Sequence, residues 1–256
     1  MSERSRRPVP VCAPPRVRDL LGQAPDGPVP VVHRGDRAVY VEIGGRCVGV
    51  VAPGAAEVPC ALRAREPDDP GWWRGDAAVD SGVLHIDGTA FPVGRVVDVR
   101  VPALVSGTRS DGTAAALLGR PPAALSGLGA EPPEAMDPPT VASLIGRGDG
   151  LTPLGDDILC GWLATHRAAG AATTEVDVAV RARLHRTTLL SGTLLDCALR
   201  GEVLPGFGRF LAALGTAQEQ TRAADLLRLG HSSGAGLLYG VALALATLDL
   251  AGRRAA

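Results

Sequence analysis

The sequence contains no lysine and no asparagine, so each of its 26 basic residues is an arginine. Without lysine there is no phosphate loop of the G-x-x-x-x-G-K type, no pyridoxal Schiff base and no lysine nucleophile. Any phosphate or carboxylate must be held by arginine, by hydroxyls or by backbone N–H groups. Aromatic residues make up only 3% of the chain against 46% hydrophobic residues, so the core is built from Ala, Val and Leu, which favours close helix packing. The five cysteines, Cys12, Cys47, Cys60, Cys160 and Cys197, are odd in number and widely spaced, with no C-x-x-C pair. Neither a disulfide framework nor a zinc site is implied, and reduced thiols in a cytosol are expected. A net charge of -1 gives no electrostatic reason to expect nucleic acid or an anionic membrane as partner. Long apolar runs are also missing, since charge or glycine interrupts them, and the first residues lack the apolar segment of a secretion signal. A cytoplasmic protein that neither crosses a membrane nor is secreted is expected.

What is present changes character along the 256 residues. Short apolar runs at residues 29–32, 38–43, 47–51, 83–86 and 93–101 are broken by Gly, Pro and Asp, with turn pairs Gly44-Gly45 and Asp87-Gly88 between them. They predict a small antiparallel sandwich or barrel, interrupted by a polar excursion over residues 66–76 that carries Trp72 and Trp73. After Ser106 the texture becomes Ala- and Leu-rich, and helices are predicted at 113–118, 139–145, 153–169, 176–200, 207–214, 217–229 and 235–250. Residues 121–139, rich in Pro and Gly, read as a loop or linker. Strands first and helices later define an α+β chain, with a β-rich region over 1–106 and a helical domain over 107–256.

Two glycine-rich stretches each lead into an apolar helix. In the first, Gly146-Arg147-Gly148-Asp149-Gly150-Leu151-Thr152-Pro153-Leu154-Gly155-Asp156-Asp157, Thr152 fits an N-cap and Pro153 the first helical position. The second is Gly230-His231-Ser232-Ser233-Gly234-Ala235-Gly236. The two align with Gly155 on Gly234, Ile158 on Leu237, Leu159 on Leu238 and Gly161 on Gly240. Either an internal duplication or one packing problem solved twice with small residues gives such a match. Gly236, Gly240 and Ala244 form a stripe at four-residue spacing, so two backbones can touch and bring both helix starts into one crevice. Free N–H groups there suit a phosphate or carboxylate. The plain alternative is that the glycines and Thr152 only start helices and that Asp156 and Asp157 complement a dipole. His231 beside Ser232 does not make a nucleophile–base pair, because adjacent side chains diverge.

Residues 150–157, 187–198 and 230–234 resemble the family of uncharacterised domains that includes the AllH-type subunit of oxamate carbamoyltransferase; the similarity covers residues 146–248. That family's pattern reads T-P-S-G-D-D in the first motif and G-H-T-S-G-x-D in the second. Here Leu154 replaces the serine, Ser232 the threonine and Gly236 the last aspartate. The resemblance implies a subunit that works with other carbamoyltransferase subunits to exchange a carbamoyl group between carbamoyl phosphate and a small amide such as oxamate. Such a transfer needs a pocket for the leaving phosphate, donors to the developing oxyanion and an oriented amine. We expect Gly148, Gly150, Gly155 and Gly234 N–H groups, with the Thr152, Ser232 and Ser233 hydroxyls, to bind the anion. Asp156 or Asp157 would orient the acceptor nitrogen or hold a divalent cation, and His231 would act as donor or base. No other cofactor is called for.

Ser106-Gly107-Thr108-Arg109-Ser110 also resembles the S-T-R-T carbamoyl-phosphate motif of aspartate- and ornithine-type transcarbamylases, with one residue inserted; an ordinary turn capped by Ser110 is the alternative. Thr187 and Ser191, four apart in the helix predicted at 176–200, read as a small polar stripe against a neighbouring helix. Two further readings keep the same residues: a noncatalytic carboxylate-binding or assembly module, and a metal-dependent hydrolase built on Asp156, Asp157 and His231.

Overall fold

The computed structural model describes residues 7–65, 74–104 and 136–254, with side chains to residue 248. Trp72, Trp73, the helix expected at 113–118, the stretch from Ser106 to Ser110 and most of the expected linker lie outside these residues. The chain divides into two compact units, Met1–Val99 and Arg100–Ala256.

Among the described residues the first unit holds ten strands in two sheets: β1 (Val11–Ala13), β2 (Gly27–Val29), β3 (Val31–Arg34), β4 (Ala38–Ile43), β5 (Arg46–Val51), β6 (Ala61–Ala64), β7 (Ala77–Asp80), β8 (Val83–Ile86), β9 (Thr89–Phe91) and β10 (Val93–Val96). One sheet runs β10-β1-β6-β5-β4-β3 and the other β2-β7-β8-β9. Val39, Val41, Val48, Val50 and Leu62 of the first share one apolar core with Val79, Leu84, Ile86 and Phe91 of the second. This is a sandwich-type arrangement, mostly antiparallel. The β1–β10 and β5–β6 pairings are parallel, the second made after the connection between Val51 and Ala61 returns the chain to its starting edge. The run 29–32 is two strands rather than one: β2 and β3 join different sheets on either side of Pro30. A short helix α1 (Pro15–Gln23), not anticipated, buries Val17 and Leu21 in the same core.

The strand expected at 93–101 ends at Val96. Beyond it, Arg100 makes an isolated bridge with Glu202, Val101 donates to the Gly201 carbonyl at 2.7 Å and Leu104 to that of Ala168 at 2.8 Å, all within the second unit.

The second unit is helical: α2 (Pro138–Leu144), α3 (Leu154–Ala168), α4 (Thr174–Arg181), α5 (Leu189–Leu199), α6 (Pro205–Ala213), α7 (Glu219–Leu227) and α8 (Ser233–Arg254). The single helix expected at 176–200 is α4, a 3-10 turn at Leu184–Arg186 and α5. Thr187 is extended and the Thr188 hydroxyl accepts from the Ser191 N–H, capping α5, so the threonine pair ends one element and starts the next. Helix α3 is buried on nearly every side, with Ile158, Leu159 and Leu163 fully enclosed. No helix among the described residues is long and apolar enough to cross a membrane. None of the five cysteines forms a disulfide, and four of them are buried.

Candidate functional site

Small residues fix how α3 and α8 meet. A Cβ on Gly161 would stand 2.2 Å from the Leu237 carbonyl oxygen, and one on Gly240 would stand 2.1 Å from that of Ile158. The contacts are reciprocal, because Ile158 and Gly161 align with Leu237 and Gly240. The loops that lead into the two helices also correspond bond for bond. Arg147 donates to the Leu144 carbonyl at the end of α2, and Leu229 to the Leu226 carbonyl at the end of α7. Gly155 then donates to Arg147, and Gly234 to Leu229. A Cβ on Gly155 would lie 2.0 Å from the Leu144 oxygen, and one on Gly234 would lie 1.8 Å from that of Leu226. Each motif is therefore a helix–loop–helix in which a glycine lets the second helix start against the last carbonyls of the first.

The starts of α3 and α8 come together: the Thr152 and Ser233 hydroxyls are hydrogen-bonded at 2.9 Å. Thr152 is thus not the N-cap of α3. Pro153 occupies that place, with no side-chain cap, and its carbonyl accepts from Asp156 and Asp157. The threonine hydroxyl is turned across to α8 instead. The N–H groups of Gly148, Asp149, Gly150, Leu151 and Thr152 make no backbone hydrogen bond among the described residues. Those of Gly155 and Gly234 are used inward, which leaves these two glycines a packing role rather than an anion-binding one. Gly148 has φ +113° and its pro-Cβ position lies 2.8 Å from the Leu154 N, so the loop requires glycine there.

The adjacent acids have opposite surroundings. Asp156 is fully buried and its oxygens are taken: Oδ1 accepts from the Gly146 N–H at 2.8 Å, and Oδ2 from the hydroxyls of Ser191, at 2.7 Å, and Thr187. Thr187 and Ser191, expected to form a packing stripe, are donors to this carboxyl. No sequence signal links them to it, because the partner lies more than thirty residues away. Asp157 is 6% exposed, and its Oδ2 has no hydrogen-bond partner. Burial, with a smaller contribution from the Asp156 charge, pushes its carboxyl up to about 8, while the nearby Ser233 and Thr152 hydroxyls pull the other way. It holds its proton more tightly than an ordinary carboxyl does. Burial likewise raises the Cys160 thiol, one turn further along α3.

Gly236 faces these residues: a Cβ there would sit 2.7 Å from the Asp157 Cβ and 3.0 Å from the Leu154 Cδ1. Two of the three departures from the family pattern, Leu154 and Gly236, therefore meet in space, the larger side chain occupying room that the smaller one leaves. Ser232 is half-buried, and its carbonyl accepts from Gly236. His231 is exposed, and no hydrogen bond joins it to the acids. Among the described residues no group of three His, Cys, Asp or Glu is placed to hold a metal ion.

Two helix starts, N–H groups without a backbone partner among the described residues and two hydroxyls gather here. Residues 144–245, which span the end of α2, both glycine-rich loops and much of α8, match the family model described as oxamate carbamoyltransferase subunit AllH. This is the family that the motifs at 150–157 and 230–234 resemble, and the match relates the helical unit to a carbamoyltransferase subunit. No curated protein and no solved structure matches the chain.

Proposed function

We propose that this protein is a subunit of a carbamoyltransferase-type system. Carbamoyl phosphate would be the donor, a small amide such as oxamate the acceptor, and an anionic group of one of them would sit at the paired starts of α3 and α8. The observation that carries the reading is the hydroxyl pair Thr152–Ser233, closed across the two helix starts. In the transfer the acceptor nitrogen attacks the carbamoyl carbon, the bond from that carbon to the phosphate oxygen breaks, and the phosphate leaves with the proton that the nitrogen gives up. Here the N–H groups of residues 148–152 and the two hydroxyls supply donors for a phosphate or carboxylate, with the helix dipoles adding to the attraction. His231, exposed beside Ser232, is free to meet an acceptor or a partner surface. Asp156 holds Gly146 and the start of α5 in position rather than touching substrate.

No hydrogen bond joins His231 to either acid, so donor and acceptor are not both oriented by this chain alone. Partner subunits would complete the site. That same lack favours a second reading, in which the chain binds a carboxylate without catalysing transfer. The test is to supply the purified chain with carbamoyl phosphate and oxamate and to follow phosphate release, alone and with candidate partner subunits. Release only with the partners supports the proposal. Robust release by the isolated chain removes the partner requirement, and no release under any combination with oxamate binding intact supports the noncatalytic module.

A further inference from the structure

We propose that Leu151 and Thr152 form a strap that ties the start of α5 to the start of α8, so that the two helix ends open and close together. The strap is made by neighbouring residues of one loop. The Leu151 carbonyl accepts from the Thr188 hydroxyl at 2.5 Å, and the Thr152 hydroxyl is bonded to that of Ser233 at 2.9 Å. Thr188 is also the N-cap of α5, because its side-chain oxygen accepts from the Ser191 N–H at 3.0 Å. One hydroxyl thus spends its hydrogen on the loop and a lone pair on the helix. The coupling holds whether or not the helix starts bind an anion.

The N–H groups of residues 148–152 make no backbone hydrogen bond among the described residues, so side chains hold the Leu151–Thr152 peptide from either side. The stretch before α5 follows this loop residue by residue. A Cβ on Gly146 would stand 2.3 Å from the Arg186 carbonyl oxygen, the Thr187 hydroxyl donates to Asp156, and the Thr188 hydroxyl to Leu151. His185 and Arg186 are exposed on the turn that leads into this stretch. A second molecule that displaces the turn therefore pulls on the paired helix starts through the strap. A parallel route from α5 to α8 runs through the packed body of α3, whose Asp156 holds Ser191 and whose Gly161 meets the Leu237 carbonyl.

Amide hydrogen exchange of the full chain, resolved by NMR, reports on both ends and separates the two routes. At the α5 end Thr188 holds the N–H groups of Ser191 and Gly192; at the α8 end the Leu229 and Ser232 carbonyls hold those of Gly234 and Gly236. Thr188→Asp keeps a capping acceptor for Ser191 but has no hydrogen for the Leu151 carbonyl, whereas Thr188→Ser keeps both. Rates are taken relative to Leu163 in the middle of α3, which reports global unfolding. Exchange at Gly234 and Gly236 should rise roughly threefold or more in Thr188→Asp and stay at the wild-type level in Thr188→Ser. In a Ser233→Ala background, where the strap is already cut, Thr188→Asp should add nothing at these two amides. Ser233→Ala alone tests the reverse direction without relying on any Thr188 variant, and by reciprocity it should speed exchange at Ser191 and Gly192. Three results would each overturn the strap. They are unchanged exchange at Gly234 and Gly236 in Thr188→Asp, equal acceleration there with and without Ser233→Ala, and a Ser233→Ala effect confined to α8.

Discussion

At the start of α3 the residues that follow the close-packed glycine are Asp156 and Asp157, whereas at the start of α8 they are Ala235 and Gly236. The backbones of the two helix starts are alike: each glycine lies on a carbonyl of the preceding helix, and each helix receives the other's carbonyl at a second glycine further along. What differs is the chemistry that the common backbone displays. The start of α3 carries a saturated acid and a neutral acid, and that of α8 contributes a hydroxyl and an absent side chain. Close packing thus sets where the groups meet, and the unequal side chains decide what they can bind.

The comparison breaks most severely if the shared packing is removed. Gly240→Ala places a methyl 2.1 Å from a backbone oxygen that cannot swing aside. We expect a loss of about 3 kcal/mol or more, or failure of the helical unit to fold, measured by denaturant unfolding. Gly161→Ala should match it because the contact is reciprocal; a mild effect at one site and a severe one at the other would contradict that reciprocity.

Next comes the saturated acid. Asp156→Ala leaves the Gly146 N–H and the Ser191 and Thr187 hydroxyls without their acceptor, and a loss of about 3 kcal/mol is expected in the same assay.

The neutral acid should behave in the opposite sense. Its pKa is raised to about 8 in the folded chain and is that of an ordinary carboxyl when unfolded. Below about pH 4 both states are protonated, and there is no penalty. As pH rises toward 8 the unfolded chain ionises while the folded one holds its proton, so stability declines across that window and then levels off. Asp157→Asn should abolish this part of the decline and be more stable than wild type at pH 8, on the order of a few kcal/mol. Thermal melts at pH 4, 6 and 8 check it, and a variant less stable than wild type at pH 8 would show that the carboxyl is ionised and held.

How much of this is legible in the sequence differs between the units. The runs at 38–43 and 83–86 predict strands and are strands; the second alternates in burial, whereas in the first Val39, Tyr40 and Val41 are all buried and the apolar run itself is the signal. The strands β1, β6, β7 and β9 and the helix α1 escape because each spans few residues, and β1 in addition pairs with the distant β6 and β10, which no local pattern records. In the helical unit the glycine-rich stretches and their alignment are visible in the sequence. Their physical meaning needs the structure: Gly155 and Gly234 serve packing, Thr152 bonds to the start of α8 instead of capping α3, and the difference between Asp156 and Asp157 depends on Thr187, Ser191 and Ser233.

The smallest effect on stability and the most direct evidence on the joint site come from the hydroxyl pair. Thr152→Ala and Ser233→Ala should each change stability by only about 1 kcal/mol, because both residues are half-buried. The decisive measurement is a double-mutant cycle on the oxamate affinity of these two variants and their combination at pH 7. If the two helix starts form one site, the second substitution should weaken binding far less in the background of the first, with a coupling of about 1 kcal/mol or more. Additive losses, or no loss from either substitution while oxamate still binds, would contradict a shared site.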